Sequence, residues 1–495
     1  MAASFHIENF GCRAARADGE AVGHQLRAAG LAGQTSTAAD VVVVNTCSVT
    51  AEADRAARAF IRRAHRLNPE ARIVVTGCYA QRAPDELAAM AGVAAVVGNS
   101  HKALAPEIAL RLSRHGSVQP GYELIQIQAA TNLERASSEP LAPPQVAQVV
   151  WADDRFAHSF LEESQVVPGA QTRPNLKIQE GCGNRCTFCV IPQTRGPSKS
   201  LPAASVLNQV EGFVAAHGSE LVLSGINLGR WGHDLPGSPL AECSPSPRSL
   251  AALVRQIFEQ TALPRLRLSS IEPMDWDAEL IALMADFGGT RLARHAHLPL
   301  QSGSDTVLRR MHRRYRPWHY ADKVAALLRA AGPALTLGAD VMVGFPGETD
   351  AEFEETLAFV QELPFGYLHL FPFSPRPGTP GWALHAERPV SPRAVDERMA
   401  ALRALAAEKS KVHRSRFVGL ELDAITLHTP AEMAARGRTA ALSENFLPIE
   451  LEGRLESNRL VRARVTGLNS EAALEAFDET LKLVALEPAT AALSR

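Results

Sequence analysis

Residues 180–192 read EGCGNRCTFCVIP and place Cys182, Cys186 and Cys189 on one short segment. Three thiolates on one loop hold three irons of a [4Fe–4S] cluster and leave the fourth iron without a protein ligand. A structural zinc ion usually takes four protein ligands, and this stretch contains no fourth Cys or His, which counts against zinc. The spacing therefore favours a cluster whose open iron can bind a small chelating molecule. A structural zinc loop and plain buried thiols are the alternatives.

Outward from this loop, the chain alternates between strand-like and helix-like stretches, which predicts an α/β fold with parallel strands. Helical patterns occupy most of the intervals, so an open six-fold β/α barrel is expected. A helix near Pro392–Arg414 leads out of it, and the Pro/Ser-rich stretch Gly232–Arg248 is expected to be a surface loop. The six strand candidates are NLKIQE (175–180), ELVLSG (220–225), RLRLSS (265–270), HAHLPLQ (295–301), TLGADVMVG (336–344) and YLHLFPFS (367–374).

The N-terminal segment shows the same alternation and predicts a second parallel α/β sheet. Its strand candidates are Ser4–Phe10, Val41–Asn45, Arg72–Gly77 and Ala94–Gly98. Its helical patterns lie near Asp18–Ala29, Glu52–Leu67, Pro84–Met90 and Lys102–Arg114.

Three cysteines follow three of these N-terminal strands. Cys12 comes two residues after the first strand, Cys47 lies in NTC after the second, and Cys78 lies in TGC after the third. The loops after parallel strands share one edge of a sheet, where ligands bind. We therefore expect the three thiols to converge, which suits a second cluster site. Purely structural cysteines are the alternative.

The last segment is rich in short β-prone runs and predicts a small all-β barrel of about five strands. The runs are ELDAITLH (421–428), RTAALSENFLPIELEG (438–453), NRLVRARVTGL (458–468) and ETLKLVALE (479–487). The predicted domains are residues 1–116, a linker over 117–172, the central barrel over 173–415 and the terminal barrel over 416–488.

Composition narrows the class of protein. The 495 residues suggest about three domains, and 46 % hydrophobic with 21 % charged residues is a globular composition. No stretch approaches ~18 apolar residues, so no membrane span is expected, and the N-terminus lacks a signal-peptide pattern. Seven cysteines, an odd number, indicate metal binding in a reducing compartment, the cytoplasm, rather than a disulfide scaffold. Cys243 has no assigned role and is expected to be a free surface thiol.

The loop EGCGNRCTFCVIP resembles the cluster loop of the radical S-adenosylmethionine (SAM) enzymes. Three stretches ahead of it resemble the methylthiotransferases of that superfamily: GC at Cys12, NTCSVT (45–50) and TGCYAQ (76–81). The resemblance covers essentially the whole chain. Further family stretches are HLPLQSGSDTVLRRMHRRY (297–315), DVMVGFPGET (340–349) and FPFSPRPGTP (371–380). The family's GC-x-x-N pattern is interrupted here because Ala15 stands where members carry Asn.

This resemblance implies two [4Fe–4S] clusters and SAM as cofactors. Cys182, Cys186 and Cys189 would hold the radical SAM cluster, and Cys12, Cys47 and Cys78 an auxiliary cluster that carries the inserted sulfur. The reaction replaces an unactivated C–H bond by C–S–CH3, with SAM as the source of both the radical and the methyl group. The residues that it implies for SAM binding are Gly225, Asn227, Ser269, Glu272, Gln301, Gly344 and Gly347. Ordinary turn glycines and an ordinary surface or capping carboxylate are the alternatives.

The substrate implied by the family is tRNA or a ribosomal protein. The terminal barrel is similar to the TRAM RNA-binding module, and arginines and an exposed aromatic suit phosphates and bases. Since the net charge is −2, RNA contacts must come from local basic patches. The expected RNA-binding residues are Arg309, Arg310, Arg313, Arg314 and Arg316, with His312 among them, and Phe446, Arg454, Arg459, Arg462 and Arg464. A solvated charged face is the alternative.

MHRRY (311–315) and LHLFPFSPRPGTP (368–380) resemble the MtaB-type branch, which acts on N6-threonylcarbamoyladenosine of tRNA. Isopentenyladenosine in tRNA ranks second as the substrate, and an aspartate of a ribosomal protein third. The superfamily implies flavodoxin or ferredoxin as electron donor, and a monomer is compatible with the sequence. A degenerate RNA-binding protein and a radical SAM enzyme of other chemistry are the competing classes.

Overall fold

The computed structural model describes residues 3–115, 149–154, 156, 173–235, 248–469 and 473–478. The chain divides into two compact units. The first comprises Met1–Gln165, Gln179–Lys199 and Ser374–Trp382, and the second comprises Val166–Ile178, Ser200–Phe373 and Ala383–Arg495. Most of the predicted linker, most of the predicted surface loop and Cys243 lie outside the described residues. The domain boundaries predicted from the sequence stay a prediction.

The first unit is built on a six-stranded sheet in the order β2-β1-β3-β4-β5-β6, with every pair parallel. The strands are β1 (Ser4–Asn9), β2 (Ala32–Gly33), β3 (Val41–Thr46), β4 (Arg72–Gly77), β5 (Val93–Gly98) and β6 (Val149–Trp151). The helices are α1 (Arg13–Ala28), α2 (Ala51–Leu67), α3 (Cys78–Arg82), α4 (Pro84–Ala88), α5 (Ala105–His115) and α6 (Ile191–Arg195). The predicted parallel α/β sheet is confirmed.

The valine run of β3 shows why this sheet is central. All four residues of Val41–Val44 are fully buried, because β3 packs helices on both of its faces. Val42 and Val44 pack with α2, while Val41 and Val43 pack with α1 and α5. A strand buried on both faces has a continuous apolar sequence, which is the pattern of VVVV.

The barrel strands form two sheets, with orders β10-β9-β7-β8 and β11-β12-β13, and all of their residues except Gln179, Glu180 and Lys199 belong to the second unit. The strands are β7 (Asn175–Glu180), β8 (Lys199–Ser200), β9 (Glu220–Gly225), β10 (Arg265–Leu268), β11 (His295–His297), β12 (Thr336–Val343) and β13 (Phe365–Pro372). The helices are α7 (Ala203–Ala215), α8 (Leu250–Gln260), α9 (Ala278–Phe287), α10 (Asp305–Arg310), α11 (Pro317–Ala331), α12 (Asp350–Glu362), α13 (Pro380–Glu387) and α14 (Pro392–Ser415). Each of the six predicted barrel strands is present, which confirms the predicted α/β architecture.

The terminal segment closes into a five-stranded barrel in the order β14-β15-β16-β18-β17, as predicted. Its elements are β14 (Glu421–Thr426), α15 (Ala431–Ala435), β15 (Arg438–Ser443), β16 (Pro448–Glu452), β17 (Leu460–Leu468) and β18 (Leu474–Asp478). The predicted strand ETLKLVALE lies outside the described residues, and Leu474–Asp478 is the strand that completes the barrel. Within the same unit, Glu444 of this barrel accepts hydrogen bonds of 2.8 and 2.6 Å from the Arg294 guanidinium.

Among the described helices, none combines the length and the apolar character needed to cross a membrane.

Candidate functional site: two cysteine trios and a polar strand edge

The first cysteine trio lies at one edge of the N-terminal sheet. Cys12 directly precedes α1 in the turn after β1, Cys47 directly follows β3, and Cys78 is the first residue of α3 after β4. The strand order reverses between β1 and β3, and the crevice at such a switch point is where open parallel sheets bind ligands. The structure therefore brings together three cysteines that are more than 30 residues apart in sequence.

Gly11 allows the close approach of Cys12 and Cys47. It has a left-handed φ of 99°, and a Cβ atom at this position would lie 2.2 Å from the Cβ and 2.5 Å from the Sγ of Cys47. Any side chain would therefore push the two loops apart.

The thiols of this trio affect one another electrostatically. Burial, together with the neighbouring Cys78 and Cys12 thiols, raises the pKa of Cys47 to about 12. Cys47 and Cys78 are buried and Cys12 is exposed. Clustered thiols of this kind deprotonate when a metal coordinates them. The donor set therefore suits a metal centre.

Cys78 receives two hydrogen bonds from buried donors. Arg195 Nε lies 3.2 Å from Cys78 Sγ, and Asn99 Nδ2 lies 3.4 Å from it. Asn99 is held in place because it also donates to the Thr194 carbonyl at 2.8 Å. Both donors stabilise negative charge on the sulfur, as the outer contacts of iron–sulfur ligands do.

A buried charge network extends from Arg195 to the second cysteine loop. Arg195 Nη1 lies 3.0 Å from Asp18 Oδ2 and 2.5 Å from Glu180 Oε1. The Lys102 ammonium contacts the same two carboxylates. Two cations and two anions balance, as buried charges must. Glu180 lies two residues before Cys182, so this network joins both cysteine trios inside the first unit.

The second trio sits on the loop between β7 and α6. Cys182, Cys186 and Cys189 are each partly buried. The Cys182 N–H donates to the Gly196 carbonyl at 3.1 Å, and the Cys189 N–H to the Cys186 carbonyl at 3.1 Å. The Thr187 carbonyl accepts a 2.7 Å hydrogen bond from the Gly381 N–H in the segment after FPFSPRPGTP. Backbone hydrogen bonds thus fix the loop that presents the thiols.

Neither cysteine trio has the close sulfur spacing that a single zinc ion requires. A zinc ion with Zn–S bonds of about 2.3 Å requires sulfurs less than about 4.6 Å apart. Among the described residues, three ligand atoms within 4.8 Å of one another occur at His297, Asp340 and His369, but at neither cysteine trio. A [4Fe–4S] cluster places each thiolate on a different iron and so spaces the sulfurs more widely.

The residues expected to bind SAM lie at the carboxyl ends of successive barrel strands in the second unit. They follow β9 (Gly225, Asn227), β10 (Ser269, Glu272), β11 (Gln301) and β12 (Gly344, Gly347). Gly344 has a φ of 75°, and a Cβ there would lie 2.6 Å from Val395 Cγ2, so the turn requires glycine.

Several polar atoms at these strand ends suit a polar ligand such as SAM. The hydroxyl oxygens of Ser224 and Ser269 and the amide oxygen of Gln301 are buried without a hydrogen-bond partner. Buried polar atoms in proteins are normally paired, so three such atoms at one strand edge indicate a ligand. Glu272 differs, because Arg313 Nη2 lies 2.5 Å from its carboxylate.

The basic segment around α10 is neutralised by carboxylates. Arg309 and Arg316 pair with Asp305, Arg310 with Glu352, Arg313 with Glu272 and Arg314 with Asp275, at distances between 2.5 and 3.2 Å. Arg313 is buried, so it is not available to RNA, whereas Arg309, His312 and Arg314 are exposed. The arginines of this segment therefore present less positive charge than their sequence indicates.

Phe446 of the terminal barrel packs inside the second unit. Its ring centroid lies 4.3 Å from that of His295 and 5.3 Å from that of Tyr367, and the Arg267 guanidinium covers it. It is not the exposed aromatic expected from the sequence. Arg454, Arg459 and Arg462 are exposed, and Arg464 is partly exposed and contacts Glu421.

Ala15, the departure from the family pattern, is fully buried in α1. Its carbonyl accepts a hydrogen bond from the Asn45 side chain, which also donates to Asn9 Oδ1 at 2.9 Å. Asn45 therefore supplies an amide group close to the first trio, two residues before Cys47.

Two sets of functional residues were not predicted from the sequence. The network of Asp18, Lys102, Glu180 and Arg195 has no local sequence pattern, since its members come from four distant elements. The set His297, Asp340 and His369 does have one: HAH, GAD and YLH place polar residues at alternate positions of otherwise apolar strands. That pattern predicts a polar face inside a barrel.

Comparisons with known proteins agree with this arrangement. Residues 4–98 match the family described as "Uncharacterized protein family UPF0004", and residues 176–360 match the radical SAM superfamily. The chain resembles a radical SAM methyltransferase, TsrM from Kitasatospora setae, in fold alone. The TM-score is 0.50 at 16 % identity, over 78 % of this chain and 76 % of that chain.

Curated relatives cover nearly the whole length. The threonylcarbamoyladenosine tRNA methylthiotransferase MtaB of Bacillus subtilis is 34 % identical over 91 % of this chain and 90 % of its own. The tRNA-2-methylthio-N(6)-dimethylallyladenosine synthase of Erythrobacter litoralis is 34 % identical over 81 % of each chain. With two cysteine trios in place and relatives of this identity over most of its length, the chain belongs to the radical SAM methylthiotransferase family.

Proposed function

We propose that this protein converts N6-threonylcarbamoyladenosine at position 37 of tRNA into its 2-methylthio derivative. The observation that carries the proposal is the convergence of Cys12, Cys47 and Cys78 in the same unit as the loop of Cys182, Cys186 and Cys189. Relatives named for the threonylcarbamoyl substrate, from Bacillus subtilis and Rickettsia prowazekii, support this choice of nucleoside.

Membership of the radical SAM superfamily implies a [4Fe–4S] cluster and SAM. We propose Cys182, Cys186 and Cys189 as ligands of that cluster and Cys12, Cys47 and Cys78 as ligands of a second one. When bound, these groups supply the one-electron chemistry, the sulfur and the methyl group that convert C–H into C–S–CH3.

The protein's own side chains have binding and positioning roles. Ser269, Asn227 and Gln301 offer polar atoms to SAM at the strand ends, and Gly344 and Gly347 allow backbone to approach it closely. The buried Arg195 holds compensating positive charge beside Cys78 and Glu180. Such fixed polar groups favour charged cofactors without reorganisation during the reaction.

The terminal barrel is the proposed tRNA-binding surface. Arg454 and Arg459 are exposed and, within the described part of the chain, have no carboxylate partner. Arg462 lies 3.5 Å from Asp423 and is also exposed. Unpaired exposed guanidinium groups are those best placed to neutralise phosphates. We further propose flavodoxin or ferredoxin as the electron donor, and a cytoplasmic monomer as the working form.

A reconstitution assay tests the proposed reaction. Purified protein with rebuilt clusters is incubated anaerobically with a reductant, methyl-labelled SAM and tRNA that carries threonylcarbamoyladenosine. We expect the label in the 2-methylthio nucleoside, together with 5′-deoxyadenosine. A parallel reaction contains tRNA that carries dimethylallyladenosine instead. Label found only in that tRNA would support the methylthio transfer but would identify dimethylallyladenosine as the substrate. No label in either tRNA would contradict the proposed function.

A further inference from the structure

Three metal-binding side chains meet inside the second unit on neighbouring strands. His297 ends β11, Asp340 lies in β12 and His369 lies in β13. In the parallel register Asp340 pairs with His369, and His297 pairs with Gly338, two residues before Asp340. Because strand side chains alternate with a period of two, all three project from the same face.

The distances among these groups suit one metal ion. His297 Nε2 lies 3.4 Å from Asp340 Oδ1, and His369 Nδ1 lies 3.3 Å from the same oxygen. The three ligand atoms all lie within 4.8 Å of one another. Imidazole and carboxylate ligands about 2.0–2.2 Å from an ion lie roughly 3.0–3.5 Å apart in tetrahedral or octahedral geometry.

A neighbouring serine lies within hydrogen-bond distance of the His297 ring. His297 is buried, and its Nδ1 lies 3.0 Å from Ser270 Oγ. Its Nε2 is buried and faces Asp340 Oδ1 at 3.4 Å. When Nδ1–H donates to Ser270, the Nε2 lone pair faces a carboxylate oxygen. In that tautomer the Nε2 lone pair and the carboxylate oxygen can bind the same cation, and histidine ligands of metals are held in this way.

The charge of the trio favours a cation over an anion. Asp340 makes its side-chain contacts with the two histidines, and no Lys or Arg in the described part of the chain contacts it. The Asp340 carboxylate therefore supplies negative charge to this set of three side chains. The His369 side chain is 61 % exposed, so one side of the trio is open to solvent.

We propose that His297, Asp340 and His369 bind a divalent transition-metal ion, distinct from both iron–sulfur clusters. Two histidines and one carboxylate form a three-ligand site of the kind that leaves coordination positions open. Those positions take water or an anionic oxygen ligand, such as a carboxylate or phosphate of the substrate.

Zinc binding to the full-length protein with both clusters in place tests the site. The protein is dialysed anaerobically against a series of free Zn²⁺ concentrations, and zinc and iron are measured in the same sample by mass spectrometry. We expect one zinc per chain without loss of iron. His369→Ala and His297→Gln should each raise the zinc Kd at least tenfold.

His217→Asn is the matched control. It removes an exposed imidazole two residues after α7 and introduces a residue type that tolerates the left-handed φ of 61°. Its zinc binding should equal that of the wild type. Because His369 is largely exposed, its variant should fold even if the buried His297 variant does not. The proposal is overturned if the wild type binds no zinc, if His369→Ala binds as tightly as the wild type, or if zinc replaces iron.

Discussion

Arg195 Nε donates a hydrogen bond to Cys78 Sγ at 3.2 Å, while Arg195 Nη1 contacts Glu180 beside the second cysteine loop. One buried guanidinium therefore touches the sulfur of Cys78 in the first trio and a carboxylate two residues before Cys182. Hydrogen bonds and positive charge at a cluster thiolate stabilise the reduced cluster, since reduction adds negative charge.

Arg195→Gln should lower the reduction potential of the cluster on Cys12, Cys47 and Cys78. Losing one charge-assisted hydrogen bond should shift the potential by on the order of 50 mV. The measurement is an electron paramagnetic resonance titration in a Cys182→Ala, Cys186→Ala, Cys189→Ala background, so that only this cluster is present. Arg195→Lys, which keeps the charge, should recover part of the shift. An unchanged potential in Arg195→Gln would show that the contact has no electronic role.

Arg313 should be structural rather than RNA-binding. It is buried against Glu272, and its removal leaves that carboxylate without its cation. Arg313→Ala should lower the free energy of unfolding by about 3 kcal/mol, as removal of one partner of a buried pair does. Arg309→Ala, which breaks an exposed pair with Asp305, should cost less than about 1 kcal/mol. Thermal unfolding compares the two, and equal effects would argue against a buried structural role.

His413 should make the second unit less stable in acid. Burial and the nearby Arg416 and Arg414 lower its pKa to about 4, and Thr336 Oγ1 lies 2.9 Å from Nε2. A histidine in the unfolded chain has a pKa near 6.5. Between about pH 4 and pH 6.5 the unfolded chain therefore binds more protons than the folded chain does. Stability is fully present above about pH 6.5 and falls by roughly 3 kcal/mol on acidification towards pH 4. His413→Gln should flatten this part of the melting-temperature profile, and a profile unchanged by the substitution would refute the assignment.

Arginines of the terminal barrel should set the affinity for tRNA. Arg459→Ala and Arg462→Ala should each weaken tRNA binding. Each should also reduce the magnitude of the slope of the log binding constant against log salt concentration by roughly one. Arg255→Ala removes an exposed arginine of α8 that pairs with Asp286, and should leave both quantities unchanged. Equal salt slopes in all three variants would place the tRNA surface elsewhere.

Much of the fold could be predicted because its strands are apolar runs with clear ends. β3 has the sequence VVVVNT and ends directly before Cys47. Both the strand and the position of the cysteine at its end could therefore be predicted. β2 and β6 have two and three residues, too few for a periodic pattern. β18 reads LEAFD, which resembles a helical stretch until its barrel partners are known.

The candidate site could be predicted only where its functional residues form a short sequence motif or directly follow recognisable strands. C-x3-C-x2-C identifies one cluster loop, and cysteines after successive strands identify a second site. Whether an arginine faces solvent or a carboxylate depends on distant residues, so Arg313 and Arg309 look alike in sequence although only one is buried. The contact of Arg195 with Cys78 spans 117 residues and is visible only in the folded chain.

Nucleoside mass spectrometry of tRNA from a deletion strain tests the central claim most directly. The strain is compared with its parent and with the same strain carrying the wild-type, Cys78→Ala or Cys182→Ala protein. We predict that 2-methylthio-N6-threonylcarbamoyladenosine disappears, that its unthiolated precursor accumulates, and that only the wild type restores it. Loss of the dimethylallyl derivative instead, or no change in either nucleoside, would contradict the account.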